Sequence, residues 1–582
     1  IQVLTRARTQ VVGTLQRGKR FGFVVPDNAR LGFDVYVPEE DLKQATEGQK
    51  VVVSIEEWGD GTKSPEGRVI DVLGDPDSPG VDILSIIKSH ELDEEFPEEV
   101  EKQARQITAD FDAEAKRRLD LREKTVFTID PHDAKDFDDA LSIERLADDL
   151  YEIGVHIADV SHYVEEGGLI DAEAYERGTS VYLVDRVIPM LPEHLSNGLC
   201  SLKPNEDRLT YSVILKLDGK GTVHDFSFHE TVIRSRFRLT YQEAQDLIES
   251  RPPREELKAI VWEIQELRRL AKVLRSRRAT RGSLDFDLPE AIVELDEEGF
   301  PIDIQESVRL DSMRLIEEFM LLANETVARE ASRLEVPFVY RVHDRPAPEK
   351  IERIRDFVEA LGYRMPKPKQ GKVDPRIFAE LIEQVRGKRE EELVNTVILR
   401  SMKQARYQVE NIGHFGLAAE DYTHFTSPIR RYPDLVVHRR LKKIQSGERW
   451  KRDREKQVAG LVKAMDHCSI EERNAVEAER DSIDLKKVEF MERHLGDEFD
   501  GTVSGVTSFG LFVRLDKYFV EGLVHLHNLS DDYYEFQEGQ FALIGRNTGR
   551  RFRLADPVRV RVESVDKDRR QIDFALIEKP KE

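Results

Sequence analysis

The chain has 582 residues, of which 39 % are hydrophobic and 35 % charged, and it carries a net charge of −24. That length holds roughly four domains of about 150 residues. No window approaches the roughly 20 consecutive apolar residues of a membrane helix, which argues against a helical membrane protein. The start, IQVLTRARTQ, has no initiator Met and lacks the basic-then-apolar order of a signal peptide. The two cysteines, Cys200 and Cys468, form no CxxC pair. Reduced thiols in a cytoplasmic protein are therefore expected, rather than a disulfide framework or a structural zinc site. Negative charge spread evenly would oppose phosphate binding, so its distribution decides. Residues 91–101 hold seven carboxylates, whereas 267–281 hold seven Arg and Lys and no acid, and a second basic run spans 429–443. Each basic run reads either as a solvated helix face or as the lining of a channel that draws a polyanion inward.

In chain order, VVGTLQ, FGFVVP, DVYVP, KVVVSIEEW and GRVIDVLG predict five short strands within 1–75 and a small OB-like β-barrel. Phe21 and Phe23 flank Gly22 beside Lys19 and Arg20. They fit a stacking platform for bases or alternate residues of a core. GDPDSPG (74–80) is a turn-rich break, and 76–122 read as a mostly helical, acidic connector. Residues 123–492 are expected to form a large mixed α/β domain, with strands such as YEIGVHIADV. Scaffold helices are predicted over 309–334 and 391–408, where apolar residues recur at three- and four-residue steps. GTVSGV, GLFVRL, EGLVHL, DPVRVRVESV and RQIDFALI predict a second small barrel over 497–578.

The sharpest feature is TIDPHDAKDFDDAL (128–141). Asp130 ends an apolar strand, and Asp136, Asp138 and Asp139 follow on one short segment. Carboxylates this close repel one another unless a cation neutralises them, and hard oxygen ligands select magnesium, manganese or calcium. An EF-hand fails, because positions three and five from Asp130 are His132 and Ala134 and position six is not Gly. The plain alternative is a solvated acidic loop. Two Mg2+ ions roughly 3.5–4 Å apart would suit phosphodiester hydrolysis. Neither a GxxxxGK[ST] phosphate loop nor a G-x-S-x-G elbow occurs, so no ATP-driven step is expected.

This segment resembles the catalytic signature of the RNase II/RNase R family, which includes the eukaryotic exosome nuclease. VHIADVSHYV, RGTSVYLVDRVIPMLPEHLSNGLCSL, RVHDRP, HFGLAAEDYTHFTSPIRRYPDLVVHRRL and CSIEERNAVEAERD match in the same order. The likeness covers nearly the whole chain and is strongest to the bacterial RNase R branch. It implies a multidomain α/β protein: a cold-shock-type OB barrel (1–75), a helical connector (76–122), an RNB catalytic domain (123–492) and a C-terminal OB barrel of the ribosomal-protein S-one type (497–578). The family usually has two cold-shock domains where one is seen here. The helix-turn-helix region and basic tail that often accompany RNase R are not in this sequence. Pro131 and His132 stand where the signature usually has other residues, neither of them a metal ligand.

By this resemblance Asp130, Asp136, Asp138 and Asp139 hold two Mg2+ ions, with Mn2+ as a substitute, and Asp138 is the most sensitive. Arg430 would contact the scissile phosphate, a task suited to a fixed guanidinium fork. Arg431 is the second candidate, with a structural ion pair as its alternative. Ser427 and Pro428 fit a helix start whose free N–H groups favour phosphate. Tyr182 and Phe286 resemble an aromatic clamp on the terminal bases, and Tyr241 a third aromatic of the RNA path. Glu318 and Glu479 match acids near the 3′-terminal nucleotide. Core packing or surface ion pairs are the alternatives for these residues. Phe509, Phe512 and His525 sit where such barrels stack bases. His156, His162 and His343 are expected to make structural hydrogen bonds and are not assigned to metal.

The implied function is a processive, monomeric 3′-to-5′ exoribonuclease. It would hydrolyse single-stranded RNA, and structured RNA with a 3′ tail, to nucleoside 5′-monophosphates. Competing readings are a catalytically inactive RNA-binding regulator, against which four intact aspartates argue, an RNase II-like enzyme that stalls at duplexes, and an endonuclease.

Overall fold

Short strands whose inward residues are mainly Val, Leu and Ile close the first barrel. Its strands are β1 (Gln10–Arg17), β2 (Phe21–Pro26), β3 (Val35–Pro38), β4 (Lys50–Glu57) and β5 (Glu66–Gly74), in the order β1-β2-β3-β5-β4. Val24, Val35 and Val37 point into its core, so Phe21, Phe23 and Tyr36 point out. This computed structural model describes residues 9–578 except 60–62, 148, 287–289, 368–372, 389, 448–453 and 538–541.

The connector carries α1 (Val81–Ser89), α2 (Glu98–Gln106) and α3 (Phe111–Ala115). The central sheet begins with β6 (Leu119–Asp120), β7 (Val126–Asp130), β8 (Asp139–Ala147) and β9 (Leu150–Ala158). After α4 (Val160–Tyr163) and α5 (Leu169–Arg177) comes a small hairpin of β10 (Val181–Tyr182) and β11 (Val187–Ile188). β12 (Asp207–Asp218) and the long β13 (Val223–Thr240) complete the sheet, ordered β12-β9-β8-β7-β13-β6. β13 serves three neighbours: its first part pairs antiparallel with β12, its middle runs parallel to β6, and its end runs parallel to β7, with Thr240 opposite Asp130. The β12–β13 pairing closes the strand circuit.

Helices α6 (Tyr241–Ile248), α7 (Val261–Arg281) and α8 (Asp311–Arg333) cover this sheet, the last matching the helix predicted over 309–334. Between α7 and α8 a hairpin of β14 (Ala291–Leu295) and β15 (Pro301–Glu306) leans on the C-terminal barrel. β16 (Tyr340–Val342) follows, and then α9 (Pro348–Ala360), α10 (Arg376–Val385) and α11 (Glu391–Ser401) pack around Phe378, Leu381, Val394 and Ile398 as a separate core. The helix expected over 391–408 therefore stops early. Beyond it, β17 (Arg406–Gln408) pairs with β16, and the Tyr407 N–H bonds Ser469 Oγ at 3.1 Å. Tertiary pairing overrides helical periodicity there.

α12 (Tyr432–Gln445) enters the main core. The 39-residue α13 (Arg454–Glu492) has no single apolar stripe because it serves three partners in turn. Leu461, Met465 and Cys468 join the main core, Ala475 and Ala478 meet α1 and the β10–β11 hairpin, and Val488 and Met491 enter the C-terminal barrel.

That barrel comprises β18 (Glu498–Thr507), β19 (Gly510–Leu515) and β20 (Glu521–His525), which with two later strands close in the order β18-β19-β20-β25-β24. Before them lies a three-stranded sheet absent from the sequence reading: β21 (Tyr534–Gln537), β22 (Ala542–Gly545) and β23 (Arg551–Arg553). β24 (Pro557–Asp566) and β25 (Gln571–Glu578) then complete the circuit. Among the described residues no helix is long and apolar enough to cross a membrane.

Candidate active site

β7 delivers Asp130 at its last residue, and β8 starts at Asp139 opposite Ile157. The irregular segment between them is tied down from three sides. Arg238 Nη2 donates to the carbonyls of Pro131 and His132 at 2.7 Å each. Ser201 Oγ accepts the Phe137 N–H at 3.1 Å and donates to the Lys135 carbonyl at 2.7 Å. The Ala158 N–H holds the Asp138 carbonyl at 2.9 Å. The charges of Asp136 and Asp139 are felt at both Asp130 and Asp138.

Asp138 is buried, and its Oδ1 accepts the Ile429 N–H at 2.9 Å. The Oδ2 atoms of Asp138 and Asp130 are buried with no hydrogen-bond partner. Burial lifts the Asp138 carboxyl well above its ordinary range against the pull of Arg430. Burial and the Asp139 charge push Asp130 up to about 8, and burial pushes Asp139 up to about 6. Buried carboxylate oxygens without donors are costly, and a hard dication would relieve that cost. Among the described residues no group of three or more His, Cys, Asp or Glu side chains is arranged to hold a metal ion. The fit to a cation thus rests on donor chemistry and on the orphaned oxygens.

Arg430 is presented by an isolated β-bridge between Thr179 and Arg431, with Thr179 Oγ1 and the Ser180 N–H donating to the Arg430 carbonyl at 2.9 and 3.0 Å. Its side chain is 42 % exposed, and its Nε lies 3.6 Å from Asp138 Oδ2. One residue on, Arg431 turns the other way and makes a two-pronged pair with Asp434 at 2.9 and 2.7 Å. This is the structural ion pair named as its alternative. The helix start is also displaced from Ser427–Pro428. α12 begins at Tyr432 with Pro433 in its first turn, while the Ser427 N–H is taken by Asp434 Oδ1 at 2.9 Å.

The Tyr182 hydroxyl donates to Asp136 Oδ2 at 3.4 Å. Its hairpin is braced by α13, where Ser482 Oγ accepts the Val184 N–H at 3.1 Å. Glu479 sits one turn earlier, half-buried, its carboxyl raised by burial and by Glu290. Tyr241 directly follows the partner of Asp130, and burial together with the charges of Asp139 and Asp130 raises its hydroxyl. Phe286 rests instead on the α9–α11 core, so another part of the domain positions it. Glu318 is buried and pairs with Arg278 at 2.6 Å across α7 and α8, the ion pair being its alternative reading.

His156 bridges Ser142 and Ser212 at 2.9 and 2.7 Å, His162 meets Arg118 at 3.2 Å, and His343 Nδ1 accepts the Gly416 N–H at 3.0 Å. All three are structural, as expected. Most cations of the basic run 267–281 are paired, though Lys272, Arg277 and Arg281 are exposed. Arg268 pairs with Asp311, Arg269 with Glu266, Arg275 with Asp285 and Arg281 with Glu325, and Arg277 bonds Thr222. In 429–443, Arg439 pairs with Asp171, Lys442 with Asp159 and Lys443 with Glu166.

On the first barrel, Phe21, Phe23 and Tyr36 form an outward trio with ring centres 5.6 to 5.8 Å apart. On the last barrel, Phe509 and Phe512 meet edge-on at 6.0 Å, and His525 pairs with Asp573 at 3.0 Å. The sequence reading passed over Tyr36, Arg238 and Ser201. Alternation in DVYVP could have found the first, and Arg238 lies in an alternating strand, but nothing local marks Ser201.

An RNB domain matches residues 118–447, a Cold shock domain residues 23–97 and an S1 RNA binding domain residues 493–577. Fold and site thus define an RNB-domain protein flanked by two OB barrels. It is 45 % identical to Ribonuclease R of Thermotoga maritima, over 100 % of this chain and 82 % of that protein. The chain belongs to the ribonuclease R family. The Mycoplasma genitalium RNase R solved with ribose methylated single-stranded RNA superposes with a TM-score of 0.93 at 28 % identity, covering 99 % of this chain and 91 % of the other. The same enzyme with double-stranded RNA gives 0.88 at 26 % identity, covering 99 % and 97 %.

Proposed function

We propose that this chain is a processive 3′-to-5′ exoribonuclease. Its substrates would be single-stranded RNA and structured RNA with a 3′ tail, and its products nucleoside 5′-monophosphates. The observation that carries this is the exposed Arg430 guanidinium 3.6 Å from a buried Asp138 whose Oδ2 lacks a donor. The relatives are named for ribonuclease R, and two similar structures hold RNA.

Asp130, Asp136, Asp138 and Asp139 would hold divalent cations, Mg2+ first. A pair of such ions would supply activated water and stabilise the leaving oxygen. The Ile429 N–H keeps Asp138 oriented, and Arg430 neutralises charge that builds on the phosphoryl oxygens. Tyr182 offers a stacking face for the terminal base, with Tyr241 and Glu479 nearby and Phe286 approaching from the helical side. The outward rings of both barrels grip unstacked bases upstream. The 2′-hydroxyl distinguishes RNA from DNA. With no ATPase motif, a duplex can be consumed only as thermal fraying exposes its 3′ strand.

The test is a time course on a 3′-tailed duplex RNA labelled along its whole length, with Mg2+ or EDTA. Expected are nucleoside 5′-monophosphates in Mg2+ alone, passage through the duplex, and intact DNA and circular RNA. Cleavage of the circle would mean an endonuclease. RNA binding without Mg2+-dependent hydrolysis would mean a regulator.

A further inference from the structure

Ser201 is fully buried, at 0 % exposure, and grips the aspartate segment on both sides of Asp136. Its Oγ accepts from the Phe137 N–H at 3.1 Å and donates to the Lys135 carbonyl at 2.7 Å. The next residue adds a third tie, the Leu202 N–H to the Phe137 carbonyl at 3.0 Å. Ser201 is itself held from behind. The π-helical turn His194–Leu199 leads into it, a rare geometry that recurs at functional sites. Arg208 then donates from Nε to the Ser201 carbonyl at 2.7 Å and from Nη2 to the Gly198 carbonyl at 3.2 Å.

Residues 131–138 have no regular backbone ladder, so the direction of the Asp136 carboxylate depends on what fixes its two flanking peptide units. A hydroxyl can do both jobs at once, because it is a donor and an acceptor on one small atom. Ala and Gly have no such atom. Behind it Cys200 is also buried, and Arg208 bonds the main-chain oxygens of Ser201, Asp207 and Gly198 and the Glu206 carboxylate.

We propose that Ser201 is a positioning residue for the cation-holding segment. It would set the peptide units around Asp136 so that its carboxylate joins those of Asp138 and Asp139 about one site. This rests on the reading of the four aspartates as ligands of a divalent cation. Groups that orient metal ligands typically change metal affinity about 10- to 100-fold when removed.

The experiment is Mn2+ binding by calorimetry on the intact chain without RNA, beside melting temperature and the Mg2+ dependence of turnover. Wild type, Asp138→Asn, Ser201→Ala, Ser201→Cys and Ser201→Thr are compared. Ser201→Ala should weaken Mn2+ about tenfold or more and raise the Mg2+ needed for half-maximal turnover by a similar factor. RNA affinity should be unchanged, and Thr should restore part of the loss. Ser201→Cys keeps the volume but bonds weakly, so it should repeat the loss even where Ala unfolds the chain. Wild-type Mn2+ affinity in Ser201→Ala or Ser201→Cys overturns the proposal, whatever the melting temperature does. A wild type that binds no Mn2+, or an Asp138→Asn that binds it normally, overturns the cation reading itself.

Discussion

The Ile429 N–H donates to Asp138 Oδ1 at 2.9 Å, joining two motifs 291 residues apart in the chain. One bond thereby orients the aspartate, leaves its other oxygen toward the cluster and brings the next residue, Arg430, to 3.6 Å. An amide oxygen can accept the same N–H. Asp138→Asn should therefore keep its melting temperature and its RNA affinity while losing hydrolysis. Near-normal turnover in Mg2+ would remove Asp138 from the chemistry.

The adjacent arginines should separate cleanly. Arg430→Ala should lower turnover about 10²- to 10³-fold, as for loss of a group that stabilises transition-state charge, with little change in melting temperature. Arg431→Ala strands the fully buried Asp434 and should destabilise the fold by about 3–5 kcal/mol. Thermal melts beside single-turnover rates check both. A stable Arg431→Ala with reduced RNA binding would return that residue to the RNA path.

Tyr182 combines a ring with a hydroxyl that reaches Asp136. Tyr182→Ala should shift the length of the final oligonucleotide and leave binding of long RNA nearly unchanged, since one stacked base contributes about 1–3 kcal/mol. Tyr182→Phe should keep the end-product length. Product ladders on a sequencing gel read this directly. An unchanged end product together with a drop in stability of about 3–5 kcal/mol would mark the ring as core.

The outward trio on the first barrel predicts a loss of affinity in a chain that still folds. Phe21 is 38 % exposed and rests on Phe23 and Tyr36, so Phe21→Ala also removes buried ring surface, and melting temperature is read beside binding. Single-strand affinity should fall about fivefold or more, from roughly 1–3 kcal/mol of stacking. Fluorescence anisotropy with a short single-stranded RNA checks it, and wild-type affinity would exclude this face from binding.

His156 is held neutral by burial, which lowers its folded pKa to about 3. The unfolded value is about 6.5. Between these limits the unfolded chain binds the extra proton, so stability from this group is complete above about 6.5 and is lost as pH falls toward 3. The stability advantage of wild type over His156→Asn should therefore shrink between pH 7 and pH 4. Denaturant unfolding at several pH values measures it, and an advantage that stays constant or grows would refute the neutral assignment.

Much of this molecule was legible locally. Short apolar runs between turn residues marked all ten strands of the two barrels, while the facing of Phe21 and Phe23, open between a stacking platform and a core, is decided by the barrel, where Val24 points in. The aspartates could be read from spacing, since like charges crowded on one short segment require a counter-charge wherever the chain folds. The small sheet of β21–β23 escaped because its strands are three or four residues long and alternate too briefly.

What the sequence by itself determined was the barrels, the mixed central domain and the carboxylates. Tertiary structure alone decided which charges remain available for RNA. Glu318 and Arg431, each read with an ion pair as its alternative, meet a counter-ion on folding: Arg278 from the facing helix, and Asp434 one turn along. In 267–281 Arg268, Arg269, Arg275, Arg278 and Arg281 meet acids, two of them across more than 40 residues, Arg268 with Asp311 and Arg281 with Glu325, whereas Arg277 bonds the Lys220 carbonyl and Thr222. An isolated charge has no local signature of whether a partner will arrive. Helix–helix packing settles that, because a buried ion is tolerated only where its opposite is placed against it.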